Sequence, residues 1–191
     1  GDIEIKIDSN IVETERAVLM ASRAGSADYS SIVIYPTAEC SITGNLPTAL
    51  IELRDADDVT IDGRINRTGS ANALTIYNAS TSNSAVIWLS RAATGGNGAK
   101  RNVIRNCNIR GNSPTGTTVY GINTGTASSL SNPAAGNDSL EIRNNNFARL
   151  GYAVRLYGTS PSAKGIVIDN NKIGNNGADG DGSTYGFYLY Y

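Results

Sequence analysis

The sequence predicts an all-β solenoid, a right-handed parallel β-helix of about five coils of 32–36 residues with long corner loops, running as one segment over residues 1–191. Three observations lead there. Apolar runs recur at a nearly constant spacing, as they must where stacked structural repeats bury a shared core. Those runs are four to six residues long and alternate in polarity, the period of a strand and not of a helix. Gly and Asn, 21 of each, are the residues that accept the left-handed backbone of tight corners.

The first column of strands aligns Val18-Leu19-Met20, Ile51-Glu52-Leu53, Ile87-Trp88-Leu89, Ile122-Asn123-Thr124, Val154-Arg155-Leu156 and Phe187-Tyr188-Leu189, whose starts are 33, 36, 35, 32 and 33 residues apart. Each reads in, out, in, which places Leu19, Glu52, Trp88, Asn123, Arg155 and Tyr188 on the outer face. A second column alternates with it along the chain: Ile5-Lys6-Ile7-Asp8, Ile32-Val33-Ile34-Tyr35, Val59-Thr60-Ile61-Asp62, Asn102-Val103-Ile104-Arg105, Leu140-Glu141-Ile142-Arg143 and Ile166-Val167-Ile168-Asp169. After the last four of these come Gly63-Arg64-Ile65, Asn106-Cys107-Asn108-Ile109, Asn144-Asn145-Asn146-Phe147 and Asn170-Asn171-Lys172-Ile173, a corner followed by a third short face. Asparagine suits the corner because it tolerates the left-handed region and its amide can bond the next coil in an asparagine ladder. Gly- and Ser-rich loops of unequal length, at 90–101, 125–139, 157–165 and 174–184, project between the columns, and a detour at 67–84 carries its own candidate strand, Leu74–Tyr77.

Little in the chain argues for anything else. The helical candidate Glu13–Arg23 stands alone. With 16 Lys and Arg against 17 Asp and Glu, the net charge of −1 gives no basic face for nucleic acid. No run approaches the roughly 18 apolar residues of a membrane span, and none has the pattern of a signal peptide, so any export signal would lie outside these residues. Cys40 and Cys107 lack metal-ligand spacing and read as small buried hydrophobes. Histidine is absent, which removes the commonest general base.

At Asp58–Asn66, Ala73–Asn78 and Ala85–Leu89, and again at Asn102–Ile109 and Tyr185–Leu189, the sequence resembles the parallel β-helix repeats of large secreted and surface proteins of Bacteroidetes and related bacteria. The resemblance covers most of residues 30–191 and implies a pectate-lyase-like architecture and an extracellular or cell-surface location. It does not select among the enzymes, tailspikes and adhesins built on such helices.

Polysaccharide lyases of this fold tend to pair a basic residue with calcium-binding acids. The row Asp8, Tyr35, Asp62, Arg105, Arg143 and Asp169 holds acid and base without an acidic cluster opposite an arginine. Asp55, Asp57, Asp58 and Asp62 could bind calcium but match no calcium loop, and Asp179-Gly-Asp181-Gly is only a fragment of one. Both are also read as polar turns, leaving no assigned cofactor or catalytic residue. The distinctive feature is aromatic. Tyr120, Tyr152 and Tyr185 recur at intervals of 32 and 33 and should stack on adjacent coils, with Tyr157, Tyr188, Tyr190, Tyr191, Trp88 and Arg155 nearby. Such a row either contacts sugar rings or a partner, or roofs the sheet beneath its loops. Tyr120, Tyr152, Tyr185, Trp88, Tyr188 and Arg155 are the candidate ligand-binding residues. No capping element is evident at Asp2–Ile7 or Gly186–Tyr191, which suggests part of a longer chain or end-to-end self-association. The leading expectation is a non-catalytic structural or adhesive scaffold that binds glycan or protein partners. A lyase using Arg105, Arg143 or Arg155 and a self-assembling fibre subunit are the alternatives.

Overall fold

A strand that buries alternate side chains leaves its N–H and C=O groups pointing sideways, and in this chain they are taken by the equivalent strand one coil away. The computed structural model describes residues 1–24, 28–112, 119–174 and 183–190. They form six coils of three strands each. The first coil holds β1 (Asp2–Ile7), β2 (Ile11–Glu13) and β3 (Ala17–Met20), and the second β4 (Ser31–Pro36), β5 (Cys40–Gly44) and β6 (Ala49–Arg54). The third holds β7 (Val59–Asp62), β8 (Leu74–Asn78) and β9 (Ser84–Arg91), and the fourth β10 (Val103–Arg105), β11 (Cys107–Arg110) and β12 (Val119–Thr126). The fifth holds β13 (Glu141–Arg143), β14 (Asn146–Ala148) and β15 (Leu150–Tyr157), and the sixth β16 (Val167–Asp169), β17 (Lys172–Ile173) and β18 (Ser183–Tyr190).

Equivalent strands pair in parallel and in coil order, giving three six-stranded sheets. The first runs from β1 to β16, the second from β2 to β17 and the third from β3 to β18. The chain is therefore a parallel β-helix, with six coils where about five were expected. Its core is one continuous column of inward side chains, among them Ile61, Leu74, Ile87, Ile104, Ile122, Phe147 and Val154, all fully buried. Each such side chain contributes on the order of 1.5–3 kcal/mol relative to exposure.

Four local expectations are corrected. The helix at Glu13–Arg23 does not form, because pairing of β3 with β6 satisfies its backbone instead. The first-column register of that coil is shifted by one: Ala17 lies opposite Ile51 and Leu19 opposite Leu53, so Leu19 packs against the core while Val18 faces outward. The second-column register of the first coil is shifted by two, with Ile3 opposite Ile32 and Lys6 opposite Tyr35, and Asp8 leaves the row. In the third coil the third face is β8, not Ile65, which lies in a single 3-10 turn at Ile65–Arg67 on the surface. Residues 64–73 are the inserted loop.

The corners follow from residue chemistry. Between the first and second sheets, Asn106, Asn144 and Asn170 adopt φ of 54°, 55° and 50°. The residue after each of the last two turns inward as a rung. Asn171 Oδ1 accepts from Asn145 N–H (3.0 Å), and Asn145 Oδ1 accepts from Cys107 N–H (3.0 Å). Asn145 Nδ2 in turn donates to Ile104 C=O at 2.8 Å. Gly63 holds the same corner one coil earlier, where a Cβ would lie 1.9 Å from Asn106 O, so only glycine permits the approach. The opposite corner, between the third and first sheets, places Asp58, Arg101 and Ser139 in the left-handed region, and Asn102 Oδ1 there accepts from Val59 N–H at 2.8 Å.

Candidate functional site

The outer face of the third sheet carries three rows of side chains in strict register. The first reads Ala49, Ala85, Tyr120, Tyr152, Tyr185, the second Glu52, Trp88, Asn123, Arg155, Tyr188, and the third Arg54, Ser90, Gly125 at one end with Tyr157, Tyr190 at the other. All six expected binding residues thus share one face. Burial divides them into two groups.

Over the second to fourth coils the face is closed. Glu52 is fully buried and meets Arg54 through two bonds, Nε to Oε1 at 2.9 Å and Nη2 to Oε2 at 2.8 Å, while Ser90 Oγ donates to its Oε1. Arg16 Nε lies 3.0 Å from Glu52 Oε2 without the alignment of a hydrogen bond, and its guanidinium sits 5.3 Å from the Trp88 ring centroid. The loop after β12 then folds back over the sheet. Leu130 packs with Ala49, Ala85, Trp88 and Tyr120 in a second apolar cluster, and its C=O accepts from Asn123 Nδ2 at 3.1 Å and Arg155 Nη1 at 2.9 Å. Trp88 and Tyr120 are accordingly only 2% and 6% exposed, and neither offers its face to a ligand. Here the rings roof the sheet beneath a loop.

Over the fifth and sixth coils the face opens. Tyr152 is half-buried, while Tyr185, Tyr188 and Tyr190 are 47%, 39% and 58% exposed. Tyr152 and Tyr185 stack with centroids 4.6 Å apart and planes 20° from parallel. Tyr188 meets Tyr152 edge-on at 5.7 Å and lies nearly parallel to Tyr190 at 6.5 Å. Arg155 stands among them, its guanidinium carbon 4.5 Å from the Tyr157 centroid, 5.1 Å from Tyr120 and 5.9 Å from Tyr188. Its Nη1 also donates to Asn123 Oδ1 at 3.0 Å, so the charge is held in place and spread over rings rather than neutralised by a carboxylate. Burial beneath its neighbours pushes the Tyr152 hydroxyl above the usual phenol range, the charges that Tyr185 and Tyr120 would carry add to that, and Arg155 offsets part of it. Tyr191 and Asp179-Gly-Asp181-Gly lie outside the described residues.

The acidic residues of the other candidate sites are engaged structurally. Asp55 accepts from Ala92 N–H and Gly98 N–H at 2.9 and 2.7 Å, and Asp57 from Lys100 N–H at 2.7 Å. Arg101 bonds both oxygens of Asp58 at 2.7 Å. In the mixed acidic and basic row of the first sheet, Asp62 is fully buried between Arg64, at 2.7 Å, and Arg105, at 3.0 Å, while Arg143 bridges Glu141 at 2.9 Å and Asp169 at 3.2 Å. Register sets Arg105 opposite Asp62 and Arg143 opposite Asp169, the neighbours that the aligned row gives. Arg155 belongs to a different sheet from Arg105 and Arg143. Among the described residues no three Asp, Glu or Cys side chains are grouped to hold a metal ion, and no helix is long and apolar enough to cross a membrane.

Sequence reasoning missed a second concavity. A cleft of about 480 Å³ runs along the corner between the first and second sheets, floored by asparagines of the fourth to sixth coils and walled by the loop at 64–73. The asparagine repeats were visible in the sequence. The wall was not, because it depends on Asn72 of the loop donating across to Cys107 C=O and Asn144 C=O at 3.3 and 3.0 Å.

Comparison with known proteins gave no match to a family model, a curated protein or a solved structure.

Proposed function

We propose that this chain is a non-catalytic extracellular scaffold of the pectate-lyase-like type found in large surface proteins of Bacteroidetes and related bacteria, and that it binds glycan or protein partners at the cell surface through the open tyrosine face. One observation carries the reading: Tyr152, Tyr185, Tyr188 and Tyr190 form an ordered aromatic platform that meets the cation of Arg155 through Tyr188. Rings fixed by packing offer flat apolar area at little entropic cost, which suits the faces of sugar rings or an apolar patch rimmed by hydroxyls. A lyase is less well supported, since Arg105 and Arg143 are tied to carboxylates and Arg155 stands on another face.

Immobilised neutral and acidic glycans, challenged with the wild-type chain and with Tyr185→Ala/Tyr188→Ala, test the proposal. Retention of the wild type with at least tenfold weaker retention of the variant supports it. Equal retention of both, or none of either, removes the tyrosine face as a glycan site. End-to-end self-association is a second reading, supported by the exposed inward-row residues Ile3 and Ile5 in the first coil and Phe187 and Leu189 in the sixth. Light scattering that shows mass rising with concentration favours it, and constant mass rejects it.

A further inference from the structure

The cleft between the first and second sheets has a chemistry unlike the tyrosine face. Its floor is built of side-chain amides in two short chains of hydrogen bonds. Asn146 Nδ2 donates to Asn108 Oδ1 at 2.8 Å, and Asn108 Nδ2 to Asn72 C=O at 2.9 Å. Alongside, Asn170 Nδ2 donates to Asn144 Oδ1 at 2.6 Å. Each chain fixes its amides and leaves complementary ends: among the described residues Asn144 Nδ2 has no acceptor, and Asn146 Oδ1 and Asn170 Oδ1 have no donor.

Asn106 completes the floor. The residue is 6% exposed, yet its side-chain amide has no hydrogen-bond partner among the described residues. Its amide atoms are not sealed from solvent but open onto the cleft, where water or a ligand can satisfy them. Its backbone already fulfils the structural duty of the corner, in the left-handed region with N–H bonded to Arg143 C=O. The amide is surplus to the fold.

The lining also discriminates between ligand classes. Among the described residues no carboxylate lines the cleft, so a cation finds no counter-charge there. Free acceptors stand beside free donors, which disfavours an anion. Arg64 is already bonded to both oxygens of Asp62, leaving Lys172 as the single uncompensated charge among the described lining residues. Alternating donors and acceptors on a rigid lattice complement vicinal hydroxyl groups, each of which donates and accepts. From Asn106 to Asn170 the floor spans two coil steps, about 10 Å at about 4.8 Å per step, and the volume lies within the roughly 300–1,000 Å³ of ordinary ligand clefts.

We infer that this asparagine cleft is a binding site for a linear, neutral oligosaccharide, with Asn106, Asn144 and Asn146 as its hydrogen-bonding residues. The site is separate from the tyrosine face and stands on separate observations. The test is nuclear magnetic resonance of the isotopically labelled chain, following asparagine side-chain amides during titration with cellohexaose, maltohexaose and, as an acidic comparison, hexagalacturonate at millimolar concentration. Saturable shifts of the Asn106, Asn144 and Asn146 amides by a neutral probe are expected. Asn106→Gly, which keeps the left-handed backbone, and Ser70→Trp, which fills the cleft from an exposed wall residue, each weaken that binding at least tenfold. Tyr185→Ala/Tyr188→Ala leaves it unchanged, which separates failure of this site from failure of the tyrosine platform. Absence of shifts with every probe, shifts with hexagalacturonate alone, or undiminished binding in the folded Ser70→Trp variant overturns the inference.

Discussion

Replacing Asn145 with alanine isolates the energetic weight of the inward asparagine ladder. The side chain is fully buried and makes three bonds, accepting from Cys107 N–H and donating to Ile104 C=O and Asn171 Oδ1. Truncation deprives a buried donor and a buried acceptor of their partners, at about 1–3 kcal/mol each, and breaks the side-chain bond, worth about 1 kcal/mol. The expected loss is therefore about 5 kcal/mol. For a chain of this size that lowers the thermal midpoint by roughly 10–20 °C, and it shifts the urea midpoint without a change of slope if the denatured state is unaltered. Asn10→Ala is the control. Asn10 also bonds the neighbouring coil, accepting from Ser41 N–H at 2.9 Å, but it is exposed and water can take its place, so the cost should stay below about 1 kcal/mol. If Asn145→Ala loses less than about 1 kcal/mol, or no more than Asn10→Ala, the ladder is not what fixes this corner.

The corner glycine gives a steric counterpart. Gly63→Ala forces a Cβ against the Asn106 backbone oxygen and should cost at least about 2 kcal/mol in urea unfolding, within the usual range for overpacking. Burial pushes the Cys107 thiol, and less strongly Cys40, above the ordinary thiol range, so neither should react with a thiol reagent at pH 8 until the chain is unfolded. Burial alone would raise the Asp62 carboxyl, but bonds from Arg64 and the charge of Arg105 outweigh it and hold it below the usual range. Its contribution is then present above the unfolded-state value of about 3.9 and lost as the pH falls below it. Asp62→Asn should flatten the stability profile on the acid side of pH 4, and an unchanged acid limb would remove Asp62 from the cause.

Most of the architecture could be read from spacing because inward positions in a solenoid tolerate few residue types. Ile51, Ile87, Ile122, Val154 and Phe187 reveal their column by themselves, and Asn106, Asn144 and Asn170 mark their corner. Errors arose where the pattern is degenerate. In Ile3-Glu4-Ile5-Lys6-Ile7 two registers bury isoleucines equally well, and only pairing with Ile32 and Ile34 decides between them. The third face of the third coil was masked by the insertion at 64–73, which puts Ile65 where a strand residue would be looked for. The site divided in the same way. Register brought the six candidates to one face, but that Trp88 and Tyr120 are covered while Tyr185 and Tyr188 are open depends on how the loop carrying Leu130 lies, and no local pattern encodes a loop's path.

The register of the three sheets also makes the molecule a ruler. Any two residues of one column are separated by a whole number of steps of about 4.8 Å, whichever side chains occupy the positions between them. A polymer laid along the axis is thus measured against fixed graduations. One whose own repeat keeps pace with them meets equivalent groups on successive coils, whereas one that falls out of step is held at a single coil and gains nothing from its length. Selection by pitch is open to a stacked coil in a way that it is not to a pocket made of loops.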